Sequence, residues 1–170
     1  GAGVSAASGV PTFRGADGLW NDKRAEELAT PGGFAENPKL VWDWYDCRRQ
    51  LIRKAEPNAA HRALAAWTQA RRGVTLLTQN VDGLHERAGS EQVVRLHGSI
   101  WHVQCWAPCD EGRTPWLDER VPLSPLPPHC LHCGGLARPG VVWFGEHLDA
   151  SVLEACDAAC DCDVFLSIGT

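Results

Sequence analysis

Two stretches of the chain repeat apolar residues at helical intervals, Asn37 to Lys54 (NPKLVWDWYDCRRQLIRK) and Asn58 to Arg71 (NAAHRALAAWTQAR). Each opens on Asn, whose side chain accepts from first-turn amides, so both are predicted as capped helices. Gly73 ends the second. Val74 to Thr78 (VTLLT) and Val164 to Ile168 (VFLSI) are short apolar runs with β-branched residues, the composition of strands buried in a parallel sheet. A helix from about Asp149 leads into the second run. Helices alternating with such strands, and polar Gly-containing loops after them, predict an α/β chain with a doubly wound parallel sheet. Ligands of that architecture lie beyond the carboxyl ends of the strands, which here are Gln79 with Asn80 and Gly169 with Thr170.

Residues 101–136 break this rhythm, with Pro, Cys and few helical periods. Cys105 and Cys109 (CWAPC) and Cys130 and Cys133 (CLHC) form two close pairs, the second just after a Pro-rich PLSPLPP stretch. Two thiolate pairs about 20 residues apart can close a tetrahedral zinc site, and four protein ligands leave no open position, so the zinc is read as structural. His129 and His132 flank the second pair and could replace a thiolate; free or disulfide-bonded Cys without metal is the competing reading. Cys156 and Cys160 are one helical turn apart and are read as small buried helix residues; Cys47 supports no assignment. The division expected is one α/β domain from residues 1–100 and 137–170, with a zinc module at 101–136.

At 170 residues, 44% hydrophobic and 22% charged, the chain can bury a real core. Sixteen basic against 21 acidic residues give a net charge of −5, which excludes a general electrostatic footprint for nucleic acid. No apolar run approaches the roughly 20 residues of a membrane helix, and no signal peptide is visible. The expectation is a protein without nucleic-acid or membrane partners, cytoplasmic by its thiol usage, with a mitochondrial address if a targeting segment precedes Gly1.

Gly1-Ala2-Gly3 with Ala6 fits a loose dinucleotide fingerprint, in which small residues let backbone amides approach a pyrophosphate; alone this is a weak signal. It continues as SGVPTFRG to Gly15, and two further polar segments follow: TQNVDGLHERAG from Thr78 to Gly89 and RLHGS from Arg95 to Ser99. Together these resemble the sirtuins, the NAD-dependent protein lysine deacylases, and the resemblance runs almost from Gly1 to Thr170. It implies a Rossmann-like fold, NAD held by Gly1, Ala2, Gly3, Phe13, Arg14, Gly169 and Thr170, and Gln79 and Asn80 beside the nicotinamide ribose. Asp82 is implied beside the carboxamide and His97 as general base, a role its ordinary pKa near 6.5 suits. In the implied reaction the acyl-lysine carbonyl oxygen attacks the ribose carbon, nicotinamide leaves, His97 activates a ribose hydroxyl, and lysine and an O-acyl-ADP-ribose are released.

RPGVVWFGE (Arg138 to Glu146) also matches the family, and Val142, Trp143 and Phe144 are expected to pair with a substrate peptide by strand addition. Tyr45 and Arg48, three apart on one helix face, resemble the signature of the sirtuin branch that removes succinyl, malonyl and glutaryl groups. Arg48 would grip the distal carboxylate, Tyr45 would donate a further bond, and Ala29 would leave room for the longer chain. Arg49 would point elsewhere on the helix. The alternatives are a general deacetylase or mono-ADP-ribosyltransferase on the same scaffold, a noncatalytic zinc-ribbon interaction module and a Rossmann oxidoreductase. Sirtuins continue beyond Gly169-Thr170 with Ser and further strands, so a polypeptide truncated at both ends, weakly active or inactive alone, is expected.

Overall fold

The structure is a computed structural model that describes residues 1–12, 19–20, 23–107, 109–111 and 114–170. Its helices are α1 (Ala2–Ala6), α2 (Ala25–Leu28), α3 (Pro31–Glu36), α4 (Pro38–Lys54), α5 (Ala59–Ala70), α6 (Leu84–Arg87) and α7 (Ala150–Cys160). Its strands are β1 (Leu19–Trp20), β2 (Lys23–Arg24), β3 (Leu76–Thr78), β4 (Val93–Arg95), β5 (Gly98–Cys105), β6 (Trp116–Leu117) and β7 (Ala137–Val141). Phe13 and Arg14, expected at the cofactor, lie outside the described residues.

The long helices begin where their caps stand. Asn37 accepts from the Leu40 amide at 3.0 Å, Pro38 occupies the first turn, and Arg53 and Lys54 sit in the last turn, where cations are favoured. Asn58 accepts from Ala60 and His61. The buried face of α4 carries Val41, Trp42, Tyr45, Arg49 and Ile52, at the helical spacing that brings one stripe to the core. Trp42 is fully buried and its indole donates to the Ala137 carbonyl at 2.8 Å, which fastens α4 to β7. Arg49, adjacent to the expected site pair, is also fully buried; Nη2 donates to the Asp118 carbonyl and the guanidinium stacks 5.4 Å from the Trp101 ring.

β3 and β4 run parallel in register Leu76↔Val93 to Thr78↔Arg95, joined by a crossover that holds α6. The strand predicted from Val74 thus begins at Leu76. A second sheet, β6-β5-β7, is antiparallel, and it reaches across residues 100/101 and 136/137 because β5 starts at Gly98 and pairs with β7.

The strand expected at Val164 to Ile168 does not form. Among the described residues no strand lies beside it to complete a hydrogen-bond ladder, and Val164, Phe165, Leu166 and Ile168 are exposed. The segment is held instead by its carbonyls: the Gly1 nitrogen donates to Ile168 at 2.8 Å and the Gly3 amide to Gly169 at 2.8 Å. Asp149 caps α7 as expected, but α7 buries none of its residues, so Cys156 is half-buried and Cys160 exposed, not the packed pair its spacing suggested. No helix among the described residues is long and apolar enough to cross a membrane.

Candidate active site and metal centre

Because β3 and β4 are parallel neighbours, the residues that follow them emerge side by side. Gln79 and Asn80 leave the end of β3 while Leu96 and His97 leave the end of β4, with the Leu96 amide still bonded to the Thr78 carbonyl at 2.9 Å. His97 Nδ1 lies 3.1 Å from the Gln79 carbonyl oxygen. A carbonyl only accepts, so this contact places the proton on Nδ1 and leaves Nε2 as the basic nitrogen. The chain must then turn sharply into β5. Gly98 has φ +73°, and a Cβ there would lie 2.3 Å from the Gly140 carbonyl oxygen, so the residue after His97 tolerates no side chain.

A cavity of about 780 Å³ opens over these strand ends. α1 and the chain beside it contribute Gly1, Ala2 and Gly3, and the last residues contribute Gly169 and Thr170. Gln79, Asn80 and His97 line it from the parallel strands. Ala29, Tyr45, Val142, Trp143 and Phe144 line it from α4, the end of α2 and the segment after β7. The size lies within the range of small-molecule sites.

Two predicted residues are elsewhere. Asp82 is not in the lining; its carboxylate accepts from Ser5 Oγ at 2.7 Å and from the Leu84 amide at 2.9 Å, an Asx turn that leads into α6. Arg48 is also outside the lining, with its guanidinium carbon 5.4 Å from the Trp44 ring. The amides of Val142, Trp143 and Phe144 are engaged within the chain, by His97 O, Glu146 Oε2 and Ala29 O, so β7 ends before them at Val141.

Sequence reasoning passed over a buried polar network beneath the cavity. Ser5 Oγ accepts from Asn80 Nδ2 at 3.2 Å while donating to Asp82, and Asn80 Nδ2 also reaches the Gly1 carbonyl at 3.1 Å. His61 Nδ1 accepts from the Asn58 amide, so its Nε2–H faces Ser5 Oγ at 3.4 Å. Its ring meets that of His85 at 4.8 Å. Burial holds both imidazoles below the ordinary His value, in each case against the opposing charge of Asp82. Ser5 carries no spacing signal; a lone Ser in a run of small residues reads as filler. Glu146 also lines the cavity, and its signal was a single acid inside an otherwise apolar stretch.

The four paired cysteines converge. Their Sγ atoms all lie within 4.8 Å of one another, with Cys105–Cys133 at 3.6 Å and Cys109–Cys130 at 3.8 Å. A tetrahedron with Zn–S bonds of about 2.3 Å has S···S edges of about 3.8 Å, so the donors already fit zinc. The amides of Cys133 and His132 point at the Cys130 sulfur and lower its pKa to about 6, while burial and the neighbouring thiols push Cys105 up to about 12. Four thiols gathered at this spacing ionise together most readily against a cation, which suits a divalent ion. His129 bonds the Gly134 carbonyl and His132 faces Glu111, so the ligand set is all-Cys. None of the four lines the cavity, in keeping with a structural metal.

The Sir2 family model matches residues 1–170. An NAD-dependent protein deacylase of Aquifex aeolicus (strain VF5) is 53% identical over 171 residues, covering 100% of this chain and 70% of the relative. NAD-dependent protein deacylase 1 of Pseudomonas aeruginosa PAO1 is 51% identical over 176 residues, again covering 100% of this chain and 70% of the relative. Among solved structures, a Sir2 homologue–NAD complex superposes with TM-score 0.84 at 50% identity, over 93% of this chain and 60% of that one. A mutant Sir2 homologue bound to 2'-O-acetyl ADP ribose superposes with TM-score 0.85 at 51% identity, over 94% of this chain and 62% of that one. This chain therefore spans less than two thirds of those solved chains, and the likeness carries the Rossmann-like fold expected from the strand and helix pattern.

Proposed function

The chain belongs to the Sir2 family, and we propose that it removes acyl groups from lysine side chains of proteins with consumption of NAD, yielding nicotinamide, free lysine and an O-acyl-ADP-ribose. One observation carries this reading: His97, whose Nε2 is its basic nitrogen, lines a single cavity with Gln79, Asn80 and the small residues Gly1, Ala2 and Gly3. When bound, NAD supplies an electrophilic ribose carbon and nicotinamide as leaving group.

The chain's own residues do the rest. Gln79 offers a donor and an acceptor to ribose hydroxyls, while Asn80, whose Nδ2 is held by the Gly1 carbonyl and Ser5 Oγ, offers its oxygen. The absence of a Cβ at Gly1 and Gly3 lets the backbone of Gly169 and Thr170 pack against the start of α1, which brings both segments to the cavity. His97 Nε2 takes a proton from a ribose hydroxyl while the Gln79 carbonyl, bonded to Nδ1–H, steadies the imidazolium that forms. Trp143, Phe144 and Val142 give the lysine stem an apolar wall, and Ala29 leaves space beyond it. Four thiols kept for a metal suit a reducing compartment, which supports a cytoplasmic address.

Tyr45 and the small residue Ala29, both in the lining, support an acidic acyl group, succinyl, malonyl or glutaryl. The position of Arg48 outside the lining favours a second reading, a neutral acetyl substrate. Matched succinyl- and acetyl-lysine peptides, followed by mass spectrometry with and without NAD, separate the two. A succinyl preference that disappears in Arg48→Met supports the acidic pocket; equal or better acetyl turnover leaves a general deacetylase.

A further inference from the structure

Arg138, on β7, is buried, and its guanidinium is the centre of a clamp at the cavity wall. It pairs end-on with both carboxylate oxygens of Glu146 through Nη1 and Nη2, with Nη2 lying 2.8 Å from Oε2 and 2.9 Å from the Val141 carbonyl oxygen. Glu146 Oε2 also accepts the Trp143 amide at 2.7 Å, and the Glu146 amide returns a bond to the Trp143 carbonyl at 3.0 Å. The turn from Trp143 to Glu146 is thereby closed through both side chain and backbone. Burial raises the Glu146 carboxyl pKa, but the Arg138 bonds and charge and the Trp143 amide outweigh it, so the group is held ionised.

The guanidinium carbon lies 3.5 Å from the centroid of the Trp143 ring, with Trp106 on another side at 6.0 Å, which fixes the indole plane. That indole donates through Nε1 to Tyr45 Oη at 2.9 Å. An indole N–H can only donate, so the Tyr45 oxygen is the acceptor and its own proton is left to give. No acceptor for that proton occurs among the described residues, and Tyr45 and Trp143 both line the cavity. A buried ion pair gains little over an apolar pair of the same volume, so stability alone does not account for two charges at this wall.

We propose that Arg138 and Glu146 are positioning residues for the acyl group: by locking the Trp143 indole they commit the Tyr45 hydroxyl as a hydrogen-bond donor to the cavity, which selects acyl chains ending in an acceptor such as a carboxylate. This rests on the deacylase reading for the identity of the ligand. The clamp acts on the ligand through the Tyr45 hydroxyl, so a double-mutant cycle reads its effect directly.

Binding of a succinyl-lysine peptide is measured by calorimetry on the zinc-loaded full-length wild type, Glu146→Gln, Tyr45→Phe and the double variant, with metal content and NAD binding as controls. Glu146→Gln is expected to weaken the peptide about tenfold, the scale of one hydrogen bond to a charged group. In the Tyr45→Phe background the same change is expected to cost less than about twofold. Equal losses in both backgrounds, no loss, or no peptide binding by the wild type overturns the proposal. If Glu146→Gln does not fold, Trp143→Phe removes the donor, keeps an aromatic wall and completes the same cycle. Wild-type turnover with NAD is read separately: a cycle that behaves as expected without NAD-dependent lysine release sinks the deacylase reading and leaves the positioning intact.

Discussion

His97 owes its usable nitrogen to one backbone oxygen, that of Gln79, and not to a neighbouring carboxylate. The contact orients the ring at no cost in charge, so truncating the ring removes the base while leaving the cavity's other walls in place. His97→Ala is expected to lower kcat/KM by about 10²- to 10⁴-fold, the usual contribution of a general base, with NAD affinity by calorimetry changed less than about twofold. The other buried histidines give a pH signature. Burial holds His61, His85 and His102 below their ordinary value of 6.5, so the unfolded chain binds protons that the folded chain refuses. Stability therefore rises with pH in this window and falls as pH drops below about 6.5. Melting temperature measured from pH 7.5 to 5.5 should decline towards acid, and a flat profile would contradict the neutral, buried pair at Ser5. The strand end before Gln79 and Asn80 was legible in the run VTLLT, whereas His97 stood out only through the resemblance carried by LHGS, since the short strand β4 that places it gave no signal in the sequence. Asp82 stood open to two readings, since an Asx turn before Gly83 and a ligand contact ask for the same residue type; its bond to the Leu84 amide is the turn.

At the scale of elements, α4 and α5 were readable to within a residue because period and cap agree, at Asn37 and at Asn58. The two caps differ in what else they hold. Asn58 also donates through Nδ2 to the Val4 carbonyl at 2.7 Å and to Ser8 Oγ at 3.0 Å, fastening α1 to α5. Asn37→Ala is expected to cost about 1 kcal/mol, the ordinary loss of a cap, and Asn58→Ala measurably more, in urea unfolding with m unchanged. Comparable losses would mean the α1 contacts contribute nothing. The strand predicted at Val164 to Ile168 shows the limit of such reading: composition marks a segment fit to pair, but a ladder needs a neighbour, and composition does not say where that neighbour is. Tyr45 and Arg48 show the same limit on a helix. Their spacing fixed a shared face, whereas depth is set by what packs against each, Trp143 on Tyr45 and Trp44 against Arg48.

Across the whole molecule, the metal centre and the cavity are joined through α4. Asp46 Oδ1 accepts the Leu123 amide at 2.7 Å and Arg49 holds the Asp118 carbonyl, so the loop between the cysteine pairs rests on the helix that also presents Tyr45. The cysteine spacing announced the metal; nothing in it announced this tie, which depends on a buried Arg that sequence alone assigns to the surface. Stripping the metal with a chelator is expected to lower the melting temperature and weaken succinyl-peptide binding together, with both restored by zinc; unchanged peptide affinity in metal-free protein would uncouple the two. The most direct test of the account as a whole is stoichiometric: free lysine and nicotinamide are quantified from one reaction of the full-length protein with NAD and an acyl-lysine peptide. One nicotinamide per lysine, with lysine release lost in His97→Ala, is the predicted result. Lysine released without NAD, or in equal yield from the His97→Ala variant, would contradict it.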